Sequence, residues 1–201
     1  MVDEEFPIGR LIFFLTNNIN KFNEARRVLS KYNISVAMLR IKPPEIQDDN
    51  LENIAKHSAL DAFNKAWLPL IVEDAGLFID ALNGFPGPYS SSVYRTIGKE
   101  GILKLLKGCD NREAKFKSVV VFCGPGSKMK CFIGEVEGKI SETARGKSGF
   151  GFDPIFEPKE FPESTFGELS IEKKNEVSHR SRALRGFAEW YKRGEIDFSS
   201  S

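Results

Sequence analysis

The chain is poor in cysteine: Cys109, Cys123 and Cys131 are an odd number, with no CxxC spacing. A disulfide framework and a structural zinc site are both disfavoured, and a reducing compartment fits better. No apolar run approaches the ~18 residues that a membrane span needs. The segment Met1–Arg10 is acidic and contains Pro7, so it carries neither a basic nor an apolar leader region. Neither sign of charge is in excess, since 29 Lys and Arg stand against 28 Asp and Glu, a formal +1. That balance counts against a dedicated nucleic-acid or membrane-surface binder. No repeat and no linker divides the chain, and the only low-complexity stretch is Ser199–Ser201. Together these absences predict a soluble, cytoplasmic protein of one domain over residues 1–201, with 1–9 and 195–201 loosely ordered at the ends.

What is abundant is core material. Of the 201 residues 41% are hydrophobic, and 17 are Phe, so disorder is excluded. Leu11–Leu15 (LIFFL) has the continuous apolar pattern of a strand buried on both faces. Phe22, Ala25, Val28, Leu29 and Tyr32 then recur at three and four, which predicts a helix. Asp49 and Glu52 are spaced like a capping box ahead of a second helix. Leu70–Val72 reads as a buried strand ending at Glu73-Asp74. Asn83–Tyr89 is too rich in Gly and Pro for a regular element, and Ser90-Ser91-Ser92 reads as a loop. A short helix through Ile102–Leu106 follows, stopping at Gly108. Phe116–Cys123 and Met129–Val136 predict a hairpin, and Ala183–Tyr191 a last helix that Gly194 ends. The order of elements indicates an α/β domain with a mixed sheet flanked by helices.

Four constellations bear on chemistry. Thr16-Asn17-Asn18-Ile19-Asn20-Lys21 lies where the first strand meets the first helix. A helix N-terminus beyond a strand's carboxyl end suits an anion, although no glycine fingerprint for phosphate is present. Asn18 or Asn20 equally serves as a plain helix cap. Glu45 and the pair Glu73-Asp74 are carboxylates of the kind that Mg²⁺ takes together with substrate phosphates. As a pair on a strand end, Glu73 and Asp74 would be poorly neutralised without a cation or a basic partner. Gly149-Phe150-Gly151-Phe152-Asp153 alternates ring and glycine, presenting either rings to a planar base or a turn whose rings face the core. Ser178-His179-Arg180 opens the last helix with cationic residues where the helix dipole disfavours them. From Lys173 to Arg193 seven basic residues stand against two acidic, a local +5 that suggests an anionic partner, or a solvated face capped by Ser178.

Phosphate cradle, carboxylate set, aromatic platform and cationic clamp describe a nucleoside triphosphate site. The segments TNNINK, PEIQ, EDAGLFIDALNGFPGPYS, GFGFDPIF and KNEVSHR resemble those of the inosine triphosphate pyrophosphatases, in order from about Leu11 to Trp190. The resemblance implies Mg²⁺-dependent hydrolysis of ITP, dITP and XTP to the monophosphate and pyrophosphate, with Mn²⁺ as a possible substitute. It also implies a homodimer, and a long central mixed sheet with the site in a cleft between two lobes. By position, Thr16 through Lys21 match the phosphate-binding segment. Glu45 and Asp74 match the metal carboxylates, with Asp74 also the acceptor of the water's proton and Glu73 its support. Phe150, Gly151, Phe152 and Asp153 match the base-contacting loop, and Lys174, Ser178, His179 and Arg180 the residues that close over the purine. Two positions depart from the pattern. His57, with Lys56 beside it, stands where many members carry Lys, and the substrate-facing Ala75 stands where many have Ser or Thr.

Two other functions compete with this one. A Maf-type pyrophosphatase acting on modified or pyrimidine nucleotides lacks the SHR and GFGFDP signatures. A silent nucleotide- or RNA-binding module would have to tolerate Glu45, Glu73 and Asp74 beside a polyanion.

Overall fold

The computed structural model describes residues 11–44 and 46–193. The terminal segments expected to be loose, and the proposed metal carboxylate Glu45, lie outside the described residues. Strand β1 (Leu11–Leu15) leads into α1 (Ile19–Ser30), then the edge strand β2 (Ser35–Leu39) and α2 (Leu51–Ala66). Strand β3 (Leu70–Ile79) is followed by the two-residue β4 (Pro86–Gly87), by α3 (Ser90–Thr96) and by α4 (Gly98–Leu105). The long hairpin β5 (Glu113–Cys123) and β6 (Lys130–Ile140), the short β7 (Phe156–Pro158), α5 (Ile171–Val177) and α6 (His179–Lys192) complete the chain. They form a single α/β domain around one seven-stranded mixed sheet, ordered β2-β1-β3-β5-β6-β7 with β4 on β3. Among the described residues no helix is long and apolar enough to cross a membrane.

β3 is the strand on which the sheet changes character. It runs parallel to β1 only from Leu70 to Val72, yet antiparallel to β5 along its whole length, Leu70↔Cys123 to Ile79↔Ala114. Beyond Val72 its β1 side has no strand partner until β4 joins at Leu77. Glu73, Asp74, Ala75 and Gly76 occupy that opening. A sheet that gains or loses a neighbour in this way leaves a crevice, the usual place for a ligand in open α/β folds.

The pleat sends successive side chains to opposite faces. Ile12, Phe14, Ile71, Val120 and Phe122 pack beneath α1 and α6, while Leu15, Leu70, Val72, Val119 and Val121 pack beneath α2. Glu73 follows the parity of Ile71 and so faces α1 and α6, whereas Asp74 follows Val72 onto the α2 side. A third cluster, rich in Phe, joins Leu77, Ile79, Phe116 and Val136 to Phe152, Phe156 and Phe166 and is closed by Val93 of α3, Ile102 of α4 and Leu106 just after it.

Four local expectations are corrected. The strand from Leu70 does not end at the carboxylates but continues to Ile79, because β5 pairs it throughout. Ser90-Ser91-Ser92 is helix, not loop: Ser90 Oγ donates to Gly87 O at 2.6 Å and accepts from Leu77 N at 2.8 Å, tying the start of α3 to β3. The cap of α2 is Asn50, whose side chain accepts from Glu52 N at 2.8 Å, in place of an Asp49–Glu52 box. Strands β2, β4 and β7 and the short α5, absent from the sequence reading, complete the set, β4 falling within the Asn83–Tyr89 stretch expected to hold no regular element.

Gly134 on β6 is required by close approach. A Cβ there would sit 2.1 Å from His179 O and 2.5 Å from Ala183 N, both backbone atoms of α6. Overfilling such a contact costs about 1–3 kcal/mol. Gly134→Ala is therefore expected to lower the thermal unfolding midpoint by roughly 2–4 °C per kcal/mol lost, measured by circular dichroism. An unchanged midpoint would show that α6 can back away.

Candidate active site

The first wall of the site is the β1–α1 junction. Thr16 Oγ1 accepts from Asn18 N at 3.1 Å, shaping the turn. Asn18 then caps α1, its Oδ1 accepting from Asn20 N at 2.9 Å and Lys21 N at 3.2 Å. Two of the four amides that a helix start leaves unpaired are thereby satisfied. Asn18, Asn20 and Lys21 line one cavity of about 550 Å³. Thr16, Asn17 and Lys21 line an adjoining one of about 570 Å³. Ile19 is exposed at the outer rim.

Behind this wall lies a buried network of charges. Lys21 Nζ is 2.9 Å from Glu73 Oε2. Arg180 Nε forms an ion pair at 3.2 Å with Glu73 Oε1, and that oxygen accepts a hydrogen bond from Ser118 Oγ at 2.7 Å. Arg180 Nη1 donates to Glu24 Oε2 at 2.5 Å. Lys174 Nζ bridges Glu24 Oε1 at 2.8 Å and Asp153 Oδ2 at 2.7 Å. Burial alone would raise the carboxyls of Glu24 and Glu73, but Arg180 overcomes it, with Lys174 at Glu24 and Lys21 at Glu73, and holds both below the ordinary range. Burial likewise opposes the charge on Lys174 and Arg180, and their carboxylate partners keep both more basic than usual. The anionic partner that the basic start of α6 suggested is thus, in the first place, inside the chain.

Asp74 stands apart. Its carboxyl is raised by burial against the pull of Lys21, with Glu73 adding repulsion. Among the described residues it makes no ion pair, its one hydrogen bond being from its neighbour Ala75 N at 3.0 Å. It lines both cavities. Among the described residues no three His, Cys, Asp or Glu side chains cluster as a closed metal cage. Mg²⁺ does not require one, because one or two carboxylates and the substrate's phosphates suffice. An uncommitted carboxylate at the mouth of the cleft fits that requirement.

The opposite wall is aromatic. Gly149, at φ +73°, makes the turn in which Phe150 N donates to Asp153 Oδ2 at 2.8 Å. A side chain at Gly149 would place its Cβ 2.0 Å from that same oxygen. Phe150 is partly exposed, and its ring lies 5.0 Å from Lys174 Nζ and 5.3 Å from Arg180 Cζ. Phe152 is instead buried, edge-on to Tyr94 at 5.3 Å. His179 stacks on Phe116 at 4.6 Å and 12°. Burial and the charge of Arg180 push its imidazole well below the usual value, so it is neutral, and its Nδ1 has no hydrogen-bond partner among the described residues.

The residues singled out in the sequence therefore converge. Lys21, Asp74, Ala75, Phe150, Gly151, Phe152, Asp153, Lys174, His179 and Arg180 all border the first cavity. Glu73 borders the second. Ser178 borders neither: it is buried and caps α6, accepting from Ser181 N at 3.3 Å. On α2, Ile54, Ala55 and Ser58 face the second cavity but Lys56 and His57 do not, and Lys56 is paired with Glu52 at 2.5 Å. Sequence reasoning missed Glu24, Ser118, Phe116 and Tyr94. Glu24 left one signal, an acid on the same stripe of α1 as the buried Ala25 and Val28.

The Ham1 family profile matches residues 12–190, and the chain belongs to that family. It is 53% identical over 181 residues to the dITP/XTP pyrophosphatase of Methanopyrus kandleri, covering 90% of this chain and 96% of that protein. It is 48% identical over 179 residues to the dITP/XTP pyrophosphatase of Thermococcus kodakarensis, covering 89% and 96%. The solved Ham1 protein of Staphylococcus aureus superposes with a TM-score of 0.80 at 28% identity, over 92% of this chain and all of that one.

Two measurements probe the network. Glu24→Gln leaves Lys174 and Arg180 short of a buried partner, which costs about 3–5 kcal/mol and lowers the melting midpoint by on the order of 10 °C. A loss no larger than that of an exposed pair such as Lys65–Asp61, removed by Asp61→Asn, would contradict the network's role. The second is pH. Unfolded His179 takes up a proton near its ordinary 6.5 while the folded imidazole resists. The unfolded state then holds more protons, so stability falls as the pH drops from 7 to 5, above the range where Glu24 and Glu73 titrate. This residue's share of that fall is about 2 kcal/mol. Urea unfolding at both pH values should show a fall smaller by that amount in His179→Phe, and parallel behaviour of the two proteins would overturn the assignment.

Proposed function

We propose that this Ham1-family chain hydrolyses deaminated purine nucleoside triphosphates, dITP, XTP and ITP, to the monophosphate and pyrophosphate. The observation that carries the reading is Asp74, an acid outside the buried ion pairs and raised by burial, at the place where an aromatic-lined cavity of about 550 Å³ meets a second one. The printed names of the relatives support the same substrate class. A Maf-type or a non-catalytic module is not favoured by them.

On this reading the base enters the first cavity beside Phe150 and over the Phe116–His179 stack. The neutral imidazole and its unpaired nitrogen face the purine edge, with Arg180 and Lys174 held rigid behind them. A site whose polar groups pair with a 6-oxo base leaves them unpaired against a 6-amino base, which penalises adenine. The triphosphate runs into the second cavity along Thr16, Asn17 and Asn18 toward Lys21. A water attacks the α-phosphorus in line. Its oxygen bonds to phosphorus, its proton passes to Asp74, and the bond from the α-phosphorus to the bridging oxygen breaks as pyrophosphate leaves with the electron pair. Glu73, salt-bridged to Lys21, keeps that ammonium at the phosphates. Mg²⁺, or Mn²⁺ in its place, would be held by Asp74, with Glu45 as the second carboxylate that the resemblance implies. When bound it supplies charge neutralisation on the phosphates. The protein works as a homodimer in the cytoplasm on this reading, with no nucleic-acid or membrane partner.

Asp74→Asn is expected to abolish turnover of dITP while nucleotide binding, followed by calorimetry, persists. Phosphorus NMR of the wild-type reaction with Mg²⁺ should give monophosphate and pyrophosphate, and chelation of the metal should stop it. Orthophosphate with diphosphate as products would move the attack to the γ-phosphorus and refute the mechanism.

A further inference from the structure

Three of the four cations that line the first cavity are already spent on internal carboxylates. Lys21, Lys174 and Arg180 face Glu24, Glu73 and Asp153, three against three. Asp74 adds a negative charge at the junction of the two cavities. A triphosphate therefore meets no surplus positive charge from these groups. Helix α2 does not supply one either, since Lys56 is tied to Glu52 and neither it nor His57 reaches a cavity.

Two cations without an ion pair among the described residues remain, Lys42 on the second cavity alone and one at the junction of the two. Arg95, near the end of α3, borders both cavities, as Lys21 and Asp74 do. It is exposed and pairs with no carboxylate among the described residues; its Nη2 donates only to Ser92 Oγ, at 3.3 Å. Its helix is not adrift. Ser90 Oγ fixes the start of α3 to Leu77 N and Gly87 O, Val93 enters the Phe-rich core, and Tyr94 sits edge-on to Phe152. An unspent guanidinium is thus presented by a helix bolted to the strand that carries Asp74.

We propose that Arg95 is a substrate-binding and catalytic residue, its guanidinium gripping the α-phosphate across from Lys21 and stabilising the charge that builds there as the bridging bond breaks. The inference rests on the triphosphate reading above. A planar fork that matches phosphate oxygens in two places suits that task better than an ammonium. Arg95 makes and breaks no bond itself. It supplies, from within the chain, the positive charge that the self-neutralised network withholds.

Steady-state turnover of dITP by Arg95→Ala, Arg95→Lys and the wild type tests this. Removing one preorganised donor at the reacting phosphate predicts a loss of about 100-fold in kcat/KM for Arg95→Ala, carried mainly by kcat. Part of it should return in Arg95→Lys, and part on adding guanidinium to Arg95→Ala, with the thermal midpoint unchanged. Activity of Arg95→Ala within twofold of wild type overturns the proposal. So does a loss that guanidinium leaves untouched and that comes with a lowered midpoint. Calorimetric binding of inorganic tripolyphosphate separates this idea from the substrate assignment. Should the wild type turn over no deaminated purine, a tenfold weaker tripolyphosphate affinity in Arg95→Ala still supports the role of Arg95, and equal affinities refute it.

Discussion

Six charged side chains, five of them sealed from water and Lys21 half-buried at their edge, hold this molecule in one arrangement. Removing an ion from water is expensive, and only full mutual pairing makes a buried set of them tolerable. Here the pairing is complete because the members come from five separate places: Lys21 and Glu24 from α1, Glu73 from β3, Asp153 from the glycine turn, Lys174 from α5 and Arg180 from α6. Each of those elements has its position dictated by a partner it meets only in the folded state. The rings of Phe150 and His179 inherit their placement from it, since one leans over Lys174 and Arg180 and the other precedes Arg180 on the same helix turn. A binding site whose walls are set by such a lattice is preorganised before any ligand arrives, and little reorganisation is left to accompany the reaction.

The sheet supplies the opening that the charges surround. Because β1 accompanies β3 only as far as Val72, the next residues keep one edge clear, and α3 rather than a strand closes the far side. Parallel pairing on one flank and antiparallel on the other lets a single strand serve both the β1–α1 junction and the Phe-rich cluster. The cleft follows from topology before any side-chain chemistry is considered.

Much of this was legible in the sequence, and what was not has identifiable causes. LIFFL and the three-and-four spacing after it announce β1 and α1, and Asn18 announces the cap, because these signals are local. The length of β3 was hidden because the sequence turns acidic at Glu73, and it takes partners distant in sequence, Lys21 and Arg180, to make an acid acceptable inside a sheet. Helix α3 was hidden because three serines favour turns when alone, and their helix is held by contacts to β3 and Phe152. The family resemblance named polar groups that border the cavities, yet gave no hint that Lys174 and Arg180 are internally paired. Glu24, the acid that pairs them, is marked only by its place on the buried stripe of α1, a signal too faint to assign it a partner.

The pleat of β3 carries a consequence for how such a chain can evolve. Glu73 and Asp74 are neighbours with opposite duties, one facing α1 and α6 and sealed into ion pairs, the other facing the α2 side and left free. Their chemistry is nearly the same, so the assignment rests on parity along the strand. Inserting or deleting a single residue between Leu70 and Glu73 would exchange the two roles and turn every apolar neighbour to the wrong face. Side chains in that stretch can change only within the limits of a packed core, and its length cannot change at all. Changes in length belong to the turns, such as Gly124–Ser127, where counting carries no meaning for the site.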